Sequence, residues 1–182
     1  FKGNLKNDFS VFEGSSIINS DNIRQFSKWL SIDIKNISDT RLRKTKLNSN
    51  VVIRDGGASF VGINGEIDSS KVTGEVRLRY KDFNSLYANL KVDNINLDAY
   101  LEENNQSEYI TKKYNLNIFT FDEVNIDIYF DKFLIGKNEY SDAKLLGIYK
   151  DNVLKIDKLS IANFAKGNLN LTGNIDYSSK AA

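Results

Sequence analysis

From Val72 to Leu101 the chain reads VTGEVRLRYKDFNSLYANLKVDNINLDAYL, and the first part of that stretch alternates without a break. Val72, Gly74, Val76, Leu78 and Tyr80 share one parity, while Thr73, Glu75, Arg77 and Arg79 share the other. A strand sends successive side chains to opposite faces, so this segment is a ribbon with one apolar and one wetted face. A polar break at Lys81–Asp82, with Asn84 and Ser85 just beyond, precedes a second alternating run. Leu86, Ala88, Leu90 and Val92 continue the apolar parity, opposite Tyr87, Asn89, Lys91 and Asp93. Two amphipathic strands about a short polar turn predict a hairpin. Ile95 and Leu97 follow, and Asp98–Glu102 has the composition of a single helical turn.

The same pattern extends over most of the chain. Leu5, Phe9, Val11 and Ile17, between Gly3 and Gly14, predict one or two short strands over residues 1–18. Ser20–Leu30, SDNIRQFSKWL, predicts an amphipathic helix, with Ser20 as N-cap, Asp21 in the first turn, and Ile23, Phe26 and Leu30 on one face. Ile32 and Ile34 alternate, then Leu47, Val51 and Ile53. Asp55-Gly56-Gly57 is a turn signal, because glycine takes positive φ at no steric cost. Later, Val124, Ile126, Ile128 and Phe130 alternate with polar neighbours, and Gly136-Lys137-Asn138 marks a turn. Leu154 and Ile156 change parity with Leu159 and Ile161 across Lys158, which predicts a bulge or a break. Leu169, Leu171, Gly173, Ile175 and Tyr177 then share one face.

Two strings recur. Val72-Thr73-Gly74-Glu75-Val76 matches Leu171-Thr172-Gly173-Asn174-Ile175 in type and parity, and Lys2-Gly3-Asn4-Leu5 returns as Lys166-Gly167-Asn168-Leu169. They point to a recurrent strand motif in a repetitive sheet. Amphipathic strands joined by short turns are antiparallel, since parallel neighbours need long crossovers. One credible helix is too little to cover the apolar face, so the sheet must close on itself, pair with a second sheet, or leave that face for another molecule.

Composition removes several chemistries. The 182 residues contain no Cys, His, Met or Pro. Without Cys and His there are no Ser–His or Cys–His nucleophilic pairs, no ordinary zinc sites and no histidine base. Lys plus Arg number 25 against 24 Asp plus Glu, and a net charge of +1 gives no general pull toward nucleic acid. No apolar run reaches the roughly 18 residues of a membrane helix, and no signal-peptide pattern opens the chain. The lack of Met makes Phe1 an expected excision point in a longer protein.

Leu90, Ile95, Leu97, Asp98, Tyr100 and Leu101 form an L-x-x-x-x-I-x-L-D-x-Y-L segment after a pair of amphipathic strands. Further on, Asp142–Asp176 is a second strand series with a turn at Asp151-Asn152, ending in a G-x-L-x-L-x-G ribbon from Gly167 to Gly173. Their order after the Ser20–Leu30 segment and the GEVRL ribbon resembles the AsmA family of Gram-negative envelope proteins, the AsmA-, TamB- and YhdP-like group. The resemblance runs from about Phe1 to Tyr177. It implies a non-enzymatic, periplasmic carrier that shelters phospholipid acyl chains against a long curved antiparallel sheet. It also implies an inner-membrane tether in an N-terminal segment that precedes this sequence.

On that basis the fold expectation is mostly β, a long curved antiparallel sheet forming an open groove or half-barrel. One N-terminal amphipathic helix and a short helical turn complete it. Residues 1–182 read as one domain or segment, with a possible sub-boundary at the polar stretch 102–114. Val72, Val76, Leu78, Leu86, Leu90, Val92, Val124, Ile126, Ile128, Leu169, Leu171 and Ile175 are the candidate lipid-facing residues. No cofactor, metal or nucleic acid is expected, and outer-membrane assembly proteins are a second class of partner. Other classes remain open: a scaffold assisting outer-membrane protein assembly, or a β-rich adhesin or passenger fragment.

Other constellations have plainer accounts. Arg41, Arg43, Lys44 and Lys46 form a basic cluster of the kind that is usually a solvated face. Asp122, Glu123, Asp127 and Asp131 lack calcium-loop spacing, and Asp127 lies on a wet parity. The sequons at Asn36, Asn105 and Asn170 are common by chance in an Asn-rich chain. Gly56-Gly57 lacks the strand-to-helix setting of a phosphate loop.

Overall fold

The computed structural model describes residues 2–5, 10–25, 37–100 and 121–177. They form ten strands: β1 (Lys2–Leu5), β2 (Val11–Ser20), β3 (Thr45–Arg54), β4 (Gly57–Ile67), β5 (Ser70–Arg79), β6 (Ser85–Asn96), β7 (Glu123–Ile135), β8 (Asn138–Lys150), β9 (Val153–Phe164) and β10 (Gly167–Asp176). All ten belong to a single sheet whose spatial order is the sequence order, β1 to β10, and β1 and β10 do not meet. At about 4.8 Å per strand the sheet is roughly 43 Å across. The hairpin anticipated from Val72 onward is β5–β6, with Val72 opposite Val92 and Leu78 opposite Leu86.

The turns follow local chemistry. Gly56, at φ 79°, ends the Asp55-Gly56 turn between β3 and β4. Gly136-Lys137 and Asp151-Asn152 have positive φ at both residues, the geometry whose twist suits a tight hairpin. Ala165-Lys166, between β9 and β10, adopts it too. The parity change across Lys158 is a bulge: Leu145 faces Leu159, yet Gly147 faces Ile156. A matching register shift lies in β4, between Val61 and Ile63.

Two expectations need correction. Eight of the nine strand pairs are antiparallel, but β6 and β7 run parallel. The connection 97–122 is long enough to return the chain to the same sheet end, which a tight hairpin cannot do. The amphipathic helix over Ser20–Leu30 is not supported. Ser20 is the last residue of β2, paired with Thr45, and its hydroxyl accepts from the Asn22 amide (3.1 Å). Within that span only Arg24 and Gln25 are helical among the described residues, and 26–30 lie outside them, as do Ile32, Ile34 and the stretch 102–114. The short helical turn is present, beginning one residue early, as a 3-10 helix at Leu97–Ala99. Among the described residues no helix is long and apolar enough to cross a membrane.

That 3-10 turn is clasped at both ends. The Asp98 carboxylate accepts from the Gly136 and Lys137 amides of the β7–β8 turn (2.7 and 3.0 Å). The Tyr100 hydroxyl donates to Asp68 (2.9 Å), which also accepts from the Leu42 and Arg43 amides (2.8 and 2.9 Å). The start of the crossover is thus tied to the β4–β5 turn on one side and the β7–β8 turn on the other.

Candidate functional site: the apolar face of the sheet

Strand register sorts side chains between two faces, because cross-strand partners point the same way. Starting at Val72, the ladder runs to Val92, and from Leu90 to Ile128, Leu145, Leu159 and Leu171. Leu86 faces Val124, Val124 faces Tyr149, Tyr149 faces Leu154, and Leu154 faces Ile175. Val76 faces Ala88, which faces Ile126, while Leu78 faces Leu86 and Leu169 faces Ile161. All twelve residues singled out in the sequence therefore lie on one face. The bulge in β9 keeps that strand in step with β8 and β10. In β9 the added residue brings Ile156 and Leu159 to the same side despite their odd spacing.

The face extends beyond those twelve. Toward β1 it continues through Phe60, Val51 and Gly14, and through Ala58, Ile53 and Phe12. Sequence reading missed Phe60 and Phe12 as members of this surface; the signal was their parity once the β4 bulge is allowed for. In the β7–β9 half, rings line up as Phe130, Phe133, Tyr140 and Phe164, with successive centroids 6.1, 5.2 and 5.7 Å apart. Exposure along the face is graded. Val51, Val72, Val92 and Val124 are buried beneath their neighbours, whereas Leu171 and Ile175 on β10 are 44% and 43% exposed. The remaining members of the twelve are half-buried.

The opposite face is polar and internally paired. Lys91 reaches Asp131 (2.8 Å), Lys144 reaches Asp127 (3.1 Å), Lys150 reaches Glu123 (3.2 Å) and Arg77 reaches Glu75 (2.9 Å). Arg77 and Lys91 also lie over the rings of Tyr87 and Tyr129 at 5.3 Å. The Asn125 amide and the Lys150 ammonium hold the Glu123 carboxyl below its usual range. Asp122 accepts from the Asn84 amide (2.7 Å). The four carboxylates from Asp122 to Asp131 thus have four different partners and do not converge.

The basic cluster is likewise divided. Arg41 lies over the Tyr100 ring at 5.9 Å and donates to the Ala99 carbonyl (3.2 Å), and Arg43 donates to the Asp39 carbonyl (2.7 Å). Lys44 and Lys46 are exposed. Burial and the Asp68 carboxylate push the Tyr100 hydroxyl up to about 12. A tyrosine held neutral in this way is a hydrogen-bond donor and not a base at neutral pH.

The segment behind the family resemblance is now assigned residue by residue. Leu90 and Ile95 belong to β6, Leu97 and Asp98 to the 3-10 turn, Tyr100 to the clasp on Asp68, and Leu101 lies outside the described residues. No protein-family model, no curated protein and no solved structure matches the chain.

Proposed function

We propose that this chain is a non-enzymatic lipid-handling segment of an AsmA-like periplasmic protein. Its apolar face shelters phospholipid acyl chains on their way between the inner and outer membranes, and the full-length protein is tethered to the inner membrane. The observation that carries this reading is a single apolar face, continuous from β2 to β10, of which most members stay half-buried or exposed. A filled core would leave no such surface. On this reading the sheet curves with its apolar face inward, as an open groove or half-barrel. The bulges in β4 and β9 support that shape, because a bulge bends its strand and raises the local twist.

The energetics favour a chain-like apolar ligand. Each methylene withdrawn from water contributes about 0.8 kcal/mol, so affinity grows with the length of acyl chain in contact. The polar face spends its charges on internal pairs, which leaves the apolar face as the surface with unmet demand. Val72, Val92 and Val124 form the floor of the groove, and Val76, Leu90 and Ile126 its accessible wall.

Native mass spectrometry of the protein purified from bacterial envelopes tests this, with co-purifying phospholipid as the expected result. Val76→Asp and Leu90→Asp should each lower lipid occupancy several-fold while the far-ultraviolet circular dichroism stays strand-like. Folded variants that carry as much lipid as the parent chain would overturn the reading. Repeated absence of lipid from every preparation would favour the scaffold class, for which the uncovered β10 edge is the supporting feature.

A further inference from the structure

β5 and β10 carry nearly the same five residues, and the difference between their surroundings identifies a surface. At Gly74 the next strand is so close that a Cβ would sit 2.0 Å from the Asn89 carbonyl oxygen. Across that gap Gly74 faces Leu90 of β6, so a glycine is matched to a leucine on the following strand. Gly173 occupies the corresponding place in β10, and a Cβ there would meet nothing within 4 Å. No strand covers the outer side of β10 among the described residues.

An edge strand of ten residues ordinarily carries protection: charges, proline, or a bulge that turns it away. β10, GNLNLTGNID, has no proline and a single charge, Asp176 at its last residue, and it exposes Leu171 and Ile175. Its outward backbone donors and acceptors meet no strand among the described residues, which makes them a template for strand addition. The sequence is also self-complementary about Thr172. In an antiparallel pair centred there, Leu171 faces Gly173 of the second copy, Leu169 faces Ile175, and Asn170 faces Asn174. The glycine-to-leucine match of β5 and β6 is thereby rebuilt between β10 and its twin.

We propose that β10 is the self-association edge of this protein, pairing antiparallel with β10 of a second copy about a two-fold axis at Thr172. Each copy contributes the same patch, as a two-fold contact requires, and both apolar faces fall on the same side. The pairing extends the apolar face across the axis and does not depend on what that face binds. One strand pair is small beside the roughly 1,200 Å² of a stable interface, so the dimer forms in a concentration-dependent way.

The chain contains no cysteine, so a single introduced one reports the register without background. Thr172→Cys should oxidise to a disulfide-linked dimer, because antiparallel cross-strand partners lie about 4.5–5.5 Å apart at Cα, within disulfide reach. Asn170→Cys alone should not cross-link, while a mixture of Asn170→Cys and Asn174→Cys copies should. Sedimentation of the unmodified chain over a concentration series should show a monomer–dimer equilibrium. Thr172→Lys, which sets like charges face to face on the wet side, should weaken it by about fivefold. A monomer at every concentration, with no Thr172→Cys cross-link, overturns the proposal. So does a dimer indifferent to Thr172→Lys, or one that Asn170→Cys cross-links by itself.

Discussion

β5 and β10 carry V-T-G-E-V and L-T-G-N-I with the same parity in one sheet, yet the two ribbons live in different environments. Val72 is 7% exposed between β4 and β6, and Leu171, its counterpart, is 44% exposed with a strand on one side only among the described residues. Gly74 is fixed at φ 139° against the carbonyl of Asn89, while Gly173 is unhindered. In a sheet one layer thick, burial comes from the strands on either side as much as from residue type. The same local sequence is therefore a structural constraint in one place and an open surface in the other.

The sharpest test of this contrast is a pair of alanine substitutions. Gly74→Ala should cost about 3 kcal/mol or more, since both its backbone angle and the Asn89 carbonyl reject a Cβ. Gly173→Ala should fall within about 0.5 kcal/mol of the parent chain. Equal losses in denaturant titrations would erase the distinction between the two ribbons.

The clasp on the 3-10 turn should come next in size. Both carboxylate oxygens of Asp68 are engaged, by the Leu42 amide and Tyr100 on one and the Arg43 amide on the other. An asparagine offers only one acceptor oxygen, and it tolerates the positive φ of this position. Asp68→Asn should therefore lose about 2 kcal/mol through hydrogen bonding alone. A smaller difference is expected for truncations on the apolar face. Val72→Ala should lose about 1–2 kcal/mol by removing buried methyl groups, against under about 0.5 kcal/mol for Leu171→Ala.

The last effect appears only away from neutral pH and is titration at the clasp. Tyr100 is raised from its ordinary value of 10.0 to about 12, so the folded state holds this proton more tightly than the unfolded one. Its contribution is complete below pH 10 and is lost as pH rises toward 12. Asp98 is shifted the other way, held below its usual value chiefly by the Lys137 amide and then by that of Gly136. Its contribution is present above the ordinary carboxylate range and fades as pH falls. Tyr100→Phe should flatten the alkaline limb of a stability profile and leave the acid limb unchanged.

What could be read from the chain follows the range of the forces involved. The β5–β6 hairpin, the turns at Asp55-Gly56 and Gly136-Lys137, and the bulge near Lys158 are written in near neighbours, where periodicity and turn chemistry act. The common face of Val72, Leu90, Ile128 and Leu171 could be read because parity survives along each strand, provided the bulges are recognised. Ala165-Lys166 gave no turn signal, since neither residue favours positive φ; the ladder between β9 and β10 imposes it. Asp68 attracted no notice because its three partners come from segments 25 to 32 residues away. The helix over Ser20–Leu30 failed at its first residue, where pairing with Thr45 outweighs capping chemistry. Nothing local could reveal that β6 and β7 run parallel, as that depends on where the crossover returns.

The parallel junction also divides the route by which the chain assembles. Within β1–β6 and β7–β10 every sequential pair but β2–β3, whose connection runs over 21–44, closes across a short turn and can zip from hairpin to hairpin. Bringing β6 beside β7 requires closing the connection 97–122, an entropy cost of about 3 kcal/mol before any contact across the seam repays it. The seam that sets Leu86 beside Val124 therefore carries, with β2–β3, the largest closure cost in the sheet.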